Sequence, residues 1–205
     1  MKVMFVYPEK CVGCKSCEIA CAVEHSETKN IFNSIFETPP PQKRIEVGLG
    51  PNFTTFPVHC RHCDPAPCLD ICPTGAISRE NGTILIDSYK CIKCWMCLIV
   101  CPFSIIQVER QDQKALKCDG CIDRKKEDRL PACVEACPTK ALQYKEIEEI
   151  TKLERKKVAD LIYTTMKEEP VEKIPVSIKM WRDMGKSLFQ IKERRKDERY
   201  RTKNN

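Results

Sequence analysis

Cys91-Ile92-Lys93-Cys94-Trp95-Met96-Cys97-Leu98-Ile99-Val100-Cys101-Pro102 decides how this chain is read. The spacing is C-x2-C-x2-C-x3-C-P. Three thiolates two residues apart wrap one corner of a cubane iron–sulfur cluster, and the fourth, beside its proline, turns away toward the other cluster of a pair. Thiolate suits this task because iron and sulfide form a soft, covalent core. The same spacing recurs at Cys11, Cys14, Cys17 and Cys21, with Ala22 in place of the proline. Cys60, Cys63, Cys68 and Cys72 repeat it with two residues added, followed by Pro73. Cys118, Cys121, Cys133 and Cys137, followed by Pro138, set a charged loop from Asp123 to Arg129 between the second and third thiols. All 16 cysteines therefore fall into four groups of four, an internal repeat.

Disulfides and zinc are the competing explanations. A disulfide framework needs an oxidising compartment. Met1 to Pro8 has neither the apolar run nor the small-residue cleavage site of a signal peptide, and no twin-arginine signal is present. Reduced thiols, and hence metal, are the expectation. Structural zinc takes two C-x2-C pairs separated by a loop. The fourth group alone has that form; three cysteines at x2 spacing crowd a tetrahedron. A zinc-binding interaction module is the remote alternative. No stretch reaches 18 apolar residues, so no membrane span is expected.

Around the cysteines the pattern is α+β. Lys2 to Tyr7 reads as a strand ended by Pro8, and residues 76–87 as a hairpin turning on Asn81-Gly82. Ile105 to Arg110 and Ala141 to Lys145 read as further strands, and each cysteine group should end in a short helix. Residues 28–57, with Pro39-Pro40-Pro41, Gly48, Gly50, Pro51 and Pro57, read as loop, either covering the metal core or reaching to a partner; covering is favoured. Beyond Cys137 the character changes. Ile147, Ile150, Leu153, Val158, Leu161, Ile162 and Met166 have the period of an amphipathic helix, broken by Pro170 and Pro175. Ser177 is placed to cap a second helix with a stripe of Trp181, Met184, Leu188 and Ile191, followed by a charge run over residues 192–201.

No nucleophile–base constellation, phosphate loop, zincin helix or dinucleotide fingerprint occurs. The chain is expected not to be an enzyme in itself. His25, His59 and His62 are read as structural or interface residues, since every group already supplies four thiolates. Trp95 and Met96 are read as shielding a cluster from water rather than relaying electrons.

Cys60-Arg61-His62-Cys63-Asp64-Pro65-Ala66-Pro67-Cys68 and Cys72-Pro73-Thr74-Gly75-Ala76-Ile77 give residues 1–145 a family resemblance. This region resembles the four-cluster iron–sulfur subunits of the dimethyl sulfoxide reductase and formate dehydrogenase type. Cys11 to His25 and Cys91 to Cys97 are most similar to its soluble, cytoplasmic members, the CooF-, HycB- and HydN-type proteins. The resemblance implies four 4Fe–4S clusters with exchanged ligands. Cluster one would take Cys11, Cys14, Cys17 and Cys137. Cluster two would take Cys118, Cys121, Cys133 and Cys21. Cluster three would take Cys60, Cys63, Cys68 and Cys101. Cluster four would take Cys91, Cys94, Cys97 and Cys72. Spacing alone does not pair the groups. The implied architecture is two ferredoxin-like two-cluster modules, residues 56–111 inserted within 1–55 plus 112–145, with a C-terminal helical extension over 146–205. The implied role is an electron-transfer subunit between a catalytic oxidoreductase subunit and a second redox partner. Carbon monoxide dehydrogenase is the first choice of catalytic partner; a tungsten aldehyde oxidoreductase, a formate dehydrogenase or a hydrogenase are alternatives. The C-terminal helices are candidates for docking or self-association.

The formal charge of +6 counts the thiols as neutral. Four oxidised cubanes with their thiolates bring the holoprotein to about −2, so the basic excess does not point to nucleic acid. Residues 146–205 carry 16 Lys and Arg against 12 Asp and Glu.

Overall fold

The computed structural model describes residues 2–51 and 54–166. Among the described residues, four two-stranded antiparallel sheets and several helices, all but one of them short, make an α+β fold. It divides into two units, Met1–Glu146 and Ile147–Asn205.

Strand β1 (Lys2–Val6) is followed by the first cysteine loop and helix α1 (Ser16–Glu24). Ala22 matters here. Without a proline after Cys21 the helix runs on to Glu24, one turn further than the Cys-Pro groups allow. Strands β2 (Ile45–Leu49) and β3 (Thr55–His59) pair next, Ile45 opposite His59. Helix α2 (Pro67–Asp70) precedes Cys72, and β4 (Ile77–Glu80) and β5 (Thr83–Ile86) form the hairpin expected around Asn81-Gly82. Both turn residues have positive φ, +46° and +76°, which matches the twist of the two strands. Helix α3 (Met96–Val100), β6 (Gln107–Val108), β7 (Ala115–Leu116), α4 (Ile122–Lys126) and α5 (Ala132–Glu135) follow. Strand β8 (Leu142–Glu146) returns to β1, setting Leu142 opposite Val6.

The reading of residues 28–57 as loop is corrected by the β2–β3 hairpin. Gly48 and Pro57 look like strand breakers, but a two-stranded sheet has only edges, where a proline's missing N–H is tolerated. The hairpin covers the first cysteine loop. The buried Glu18 of α1 accepts from the Val47 N–H at 2.6 Å and from Lys43 Nζ at 2.8 Å. Thr55 Oγ1 donates to the Cys11 carbonyl at 3.0 Å.

Buried side chains gather in two main clusters. Val6, Cys17, Cys21, Ile45, Cys133, Val134, Cys137, Ala141 and Leu142 form one; Ala66, Ile77, Ile84, Cys97, Ile106 and Ala115 form the other. Cys60, Ile105 and Cys118 make a smaller third. Burying an aliphatic side chain such as Leu142 or Ile84 contributes about 1.5–3 kcal/mol. Cysteines form a large share of these small cores, so the apolar residues cannot be the whole source of stability.

The second unit, among described residues, is helix α6 (Ile147–Met166), with Glu148 and Glu149 favourably placed in its first turn. Pro170, Pro175, Ser177 and the Trp181–Ile191 stripe lie outside the described residues. Among those described, no helix is long and apolar enough to cross a membrane.

Candidate metal centres

The four cysteine loops share one backbone device. The residue two places after the first cysteine has positive φ in every group: Gly13 at +68°, His62 at +49°, Lys93 at +63° and Gly120 at +66°. Such a turn aims successive N–H groups into one concavity, a ready site for sulfur carrying negative charge. The His62 and Gly120 N–H groups each lie 3.4 Å from the preceding cysteine Sγ, of Cys60 and Cys118. Loops one and three also match at Lys15 (+59°) and Trp95 (+56°), each the residue before its helix. A non-glycine side chain held in this region costs about 1–2 kcal/mol, which the packed loop must offset.

All sixteen cysteines are unbridged thiols. One cavity is lined by Cys72, Cys91, Cys94 and Cys97, together with Trp95 and Met96. A second is lined by Cys60, Cys63, Cys68 and Cys101, together with Lys117. Each brings three cysteines of one group to the last cysteine of another. In the first core cluster α1 packs against α5, and Cys17, Cys21, Cys133 and Cys137 are buried together with Cys11 beside them.

The electrostatics resolve these neighbours further. Burial first, then Glu18 and Cys137, pushes the Cys17 thiol up to about 11. Burial, then the nearby Cys21, pushes Cys118 up. Cys121 rises to about 11 through burial, with Asp119 and Cys21 adding to it. Cys133 is raised by burial and by Cys118, Cys121, Cys21 and Cys17 in turn. Cys21 thus lies near Cys118, Cys121 and Cys133, and Cys17 near both Cys137 and Cys133. Thiols this hard to ionise become thiolates when a metal supplies the positive charge.

Two last-in-group cysteines are treated differently. Burial raises the Cys72 thiol, but hydrogen bonds from the Thr74 hydroxyl and from the Ile77, Thr74 and Ala76 N–H groups outweigh it and pull it down. At Cys137 burial is again outweighed, by Leu142, Thr139 and Ala141. The repeated Cys-Pro-Thr sequence carries this arrangement.

Trp95 and Met96 line the cavity and are themselves 43% and 41% exposed. Cys14 and Cys94 are the only exposed cysteines of the sixteen. The histidines are tied into the scaffold. His59 Nδ1 bonds to the Cys60 carbonyl at 2.8 Å, and His62 Nδ1 accepts from the Ile84 N–H at 3.0 Å. His25 bridges the Cys21 carbonyl, at 2.7 Å, and Asp119, at 3.2 Å.

Several residues around the site carried no sequence signal. Asp119 accepts from Arg44 Nη1 at 2.6 Å and from the Cys121 N–H at 2.8 Å, and the Arg44 N–H donates to Cys21 Sγ at 3.2 Å. Arg124, almost fully buried, joins Glu24 of α1 at 2.7 Å to Glu135 of α5 and donates through Nε to the Leu130 carbonyl, closing the long loop of group four.

Four thiols line each of two cavities, and most of the other eight are buried where α1 meets α5 and group four, with His25 and Asp119 close to Cys121; so many thiols in such loops are a donor set for iron–sulfur cubanes. Comparison with known proteins agrees. Residues 51–147 match the 4Fe-4S dicluster domain family. The electron transport protein HydN of Escherichia coli K12 is 41% identical over 148 residues, 65% of this chain and 81% of HydN. An iron-sulfur protein of Rhodospirillum rubrum is 39% identical over 69% of this chain and 80% of its own length. The B subunit of the anaerobic dimethyl sulfoxide reductase of Escherichia coli K12 is 35% identical over 77% of this chain and 77% of its own length. The chain belongs to the family of ferredoxin-like 4Fe–4S electron-transfer subunits. Its cofactors are 4Fe–4S clusters, and its cysteines suffice for four.

Proposed function

We propose that this chain is a non-catalytic, cytoplasmic electron-transfer subunit whose four clusters form one line from Cys14 to Cys94. The ligand sets are those the resemblance implies. Cluster one uses Cys11, Cys14, Cys17 and Cys137; cluster two uses Cys118, Cys121, Cys133 and Cys21. Cluster three uses Cys60, Cys63, Cys68 and Cys101; cluster four uses Cys91, Cys94, Cys97 and Cys72. The bound clusters supply one-electron transfer, and the chain spaces them, excludes water and sets their potentials.

The observation carrying this reading is the cavity lined by Cys72, Cys91, Cys94 and Cys97, three thiols of one group with the last thiol of another. Neighbour relations support the order. Cys133 lies near enough to Cys17 to feel its charge, linking clusters one and two. Cys60 and Cys118 share a buried cluster, linking two and three. Cys97 feels Cys68, linking three and four. The exposed Cys14 and Cys94 then belong to opposite ends, where partners give and take electrons. The same sets imply the nested modules, 56–111 within 1–55 plus 112–145.

The catalytic partner we favour is a carbon monoxide dehydrogenase, from the resemblance of the Cys11–His25 and Cys91–Cys97 segments. Anaerobic affinity co-purification tests this; recovery of a molybdenum, tungsten or hydrogenase subunit instead overturns it. The wire itself is tested by anaerobic purification. Brown protein with about 16 irons per chain, bleached by dithionite, is expected. Colourless, zinc-loaded protein refutes the reading.

A further inference from the structure

Lys117 is a buried basic side chain with no carboxylate beside it among the described residues. Only 4% of it is exposed. Its Nζ donates to the Cys118 carbonyl at 2.8 Å and to the Ile84 carbonyl. Ile84 is itself 1% exposed, so the ammonium is held between the β4–β5 hairpin and the start of group four. Among the described residues no carboxylate pairs with it. Two carbonyls engage two of its three donors but supply no charge. An unpaired charge so placed is strongly unfavourable unless something negative lies close by to offset it.

The negative charge is supplied next door. Lys117 lines the cavity formed by Cys60, Cys63, Cys68 and Cys101. Cys68 lies in the same cavity wall as Lys117, close enough to feel its charge. The ammonium's other neighbour, the Cys118 carbonyl, belongs to a residue of the adjoining cluster. A thiolate-ligated cubane is anionic, and reduction adds one further negative charge without moving a proton. A fixed cation at short range favours that added electron in a low-dielectric site.

We propose that Lys117 is a positioning residue whose ammonium is the built-in counter-charge of the cluster held by Cys60, Cys63, Cys68 and Cys101, raising its reduction potential above that of a site without the charge. It rests on the ligand sets given above. Sequence reading passes over Lys117 as one basic residue among 35 Lys and Arg. Its burial and the cavity it faces single it out.

The test uses the full chain, purified anaerobically with its clusters, as native protein, Lys117→Gln and Lys117→Arg. Gln keeps a donor for the carbonyls and removes the charge; Arg keeps the charge. Redox titration followed by electron paramagnetic resonance reads the cluster potentials. In Lys117→Gln the reduction equilibrium constant of one cluster should fall at least tenfold, about 59 mV for a one-electron couple. A second cluster should shift less and the other two stay within twofold of native. Lys117→Arg should hold all four within about threefold. Four unchanged potentials in Lys117→Gln, a uniform shift of all four, or an equal shift in Lys117→Arg would each overturn the proposal. If Lys117→Gln loses about four irons while Lys117→Arg keeps about 16, the charge is needed to hold the cluster and the proposal stands. Equal iron loss from both shows a purely structural staple and refutes it. Native protein without iron defeats the wire reading itself, an outcome separate from any change between variants.

Discussion

Cys21 and Cys17 lie one turn apart on α1, yet the reading assigns them to different clusters. Cys21→Ser tests that assignment directly. Its Sγ accepts the Arg44 N–H at 3.2 Å, and its charge is felt by Cys118, Cys121 and Cys133. Removing this thiolate strips one ligand in four from cluster two and none from cluster one. Iron should fall by about a quarter, from about 16 to about 12 per chain, if the weakened cubane is lost whole. Two reference variants make the loss assignable. Cys14→Ser alters the exposed ligand of cluster one, and Cys121→Ser a buried ligand of cluster two. Anaerobic iron analysis and electron paramagnetic resonance of the reduced proteins then give three difference spectra. The spectrum of Cys21→Ser should match that of Cys121→Ser and differ from that of Cys14→Ser. The converse exchange predicts that Cys137→Ser matches Cys14→Ser. If Cys21→Ser instead removes the signal removed by Cys14→Ser, ligands are not exchanged between groups one and four, and the nested modules fall with them.

Other outcomes follow from the scaffold. Leu142→Ala removes a 1%-exposed side chain opposite Val6 and should cost about 2–5 kcal/mol in denaturant unfolding; a loss below about 1 kcal/mol means the β1–β8 closure is not a core element. Gly82→Ala should cost only about 1–2 kcal/mol and leave the iron content unchanged, because its φ is +76° but a Cβ meets nothing within 4 Å. Gly13→Ala should cost more and lose iron, since its Cβ would meet Thr55 Cγ2 at 2.9 Å at a φ of +68°; equal effects at the two glycines would deny the close covering by β3. Arg124→Met should destabilise by about 3 kcal/mol, leaving Glu24 without its closest partner, and should deplete the same signal as Cys121→Ser; unchanged thermal unfolding would show the long loop closes without it.

The cysteine groups were legible because ligand spacing is dictated by the cubane and leaves little freedom. The hairpin over 76–87 was legible for a similar reason, since Asn81-Gly82 provides both positive φ angles a two-residue turn needs. Strands β2 and β3 were not. Gly48, Gly50 and Pro57 read as breakers, and what makes these segments strands is tertiary: Glu18 pins Val47, and Thr55 holds the Cys11 loop. Strand β7, only Ala115–Leu116, is too short for any periodicity to register. Among the residues around the clusters, Arg44, Asp119, Arg124 and Lys117 are chemically ordinary. Their part depends on burial and on partners up to 100 positions away, as in Arg124 with Glu24, which no local pattern encodes.

The formal +6 also acquires a location. Charge on a solvated surface is screened beyond about 8–10 Å and does little for a buried anion. What affects a cluster is the small number of cations withdrawn from water beside it. Lys117 lines the cavity of one thiol set, Arg61 lines the same cavity, and Arg44 reaches Cys21 through its N–H while its guanidinium is held on Asp119. These cations differ in kind. Arg44 is paired, so most of its field is cancelled by the carboxylate it binds. Lys117 has no such partner among the described residues, and its full charge remains available to the neighbouring sulfurs. If net charge alone governed the potentials, neutralising any lysine would shift all four clusters alike. If local placement governs them, Lys117 shifts one cluster strongly, and an exposed lysine such as Lys126 shifts none.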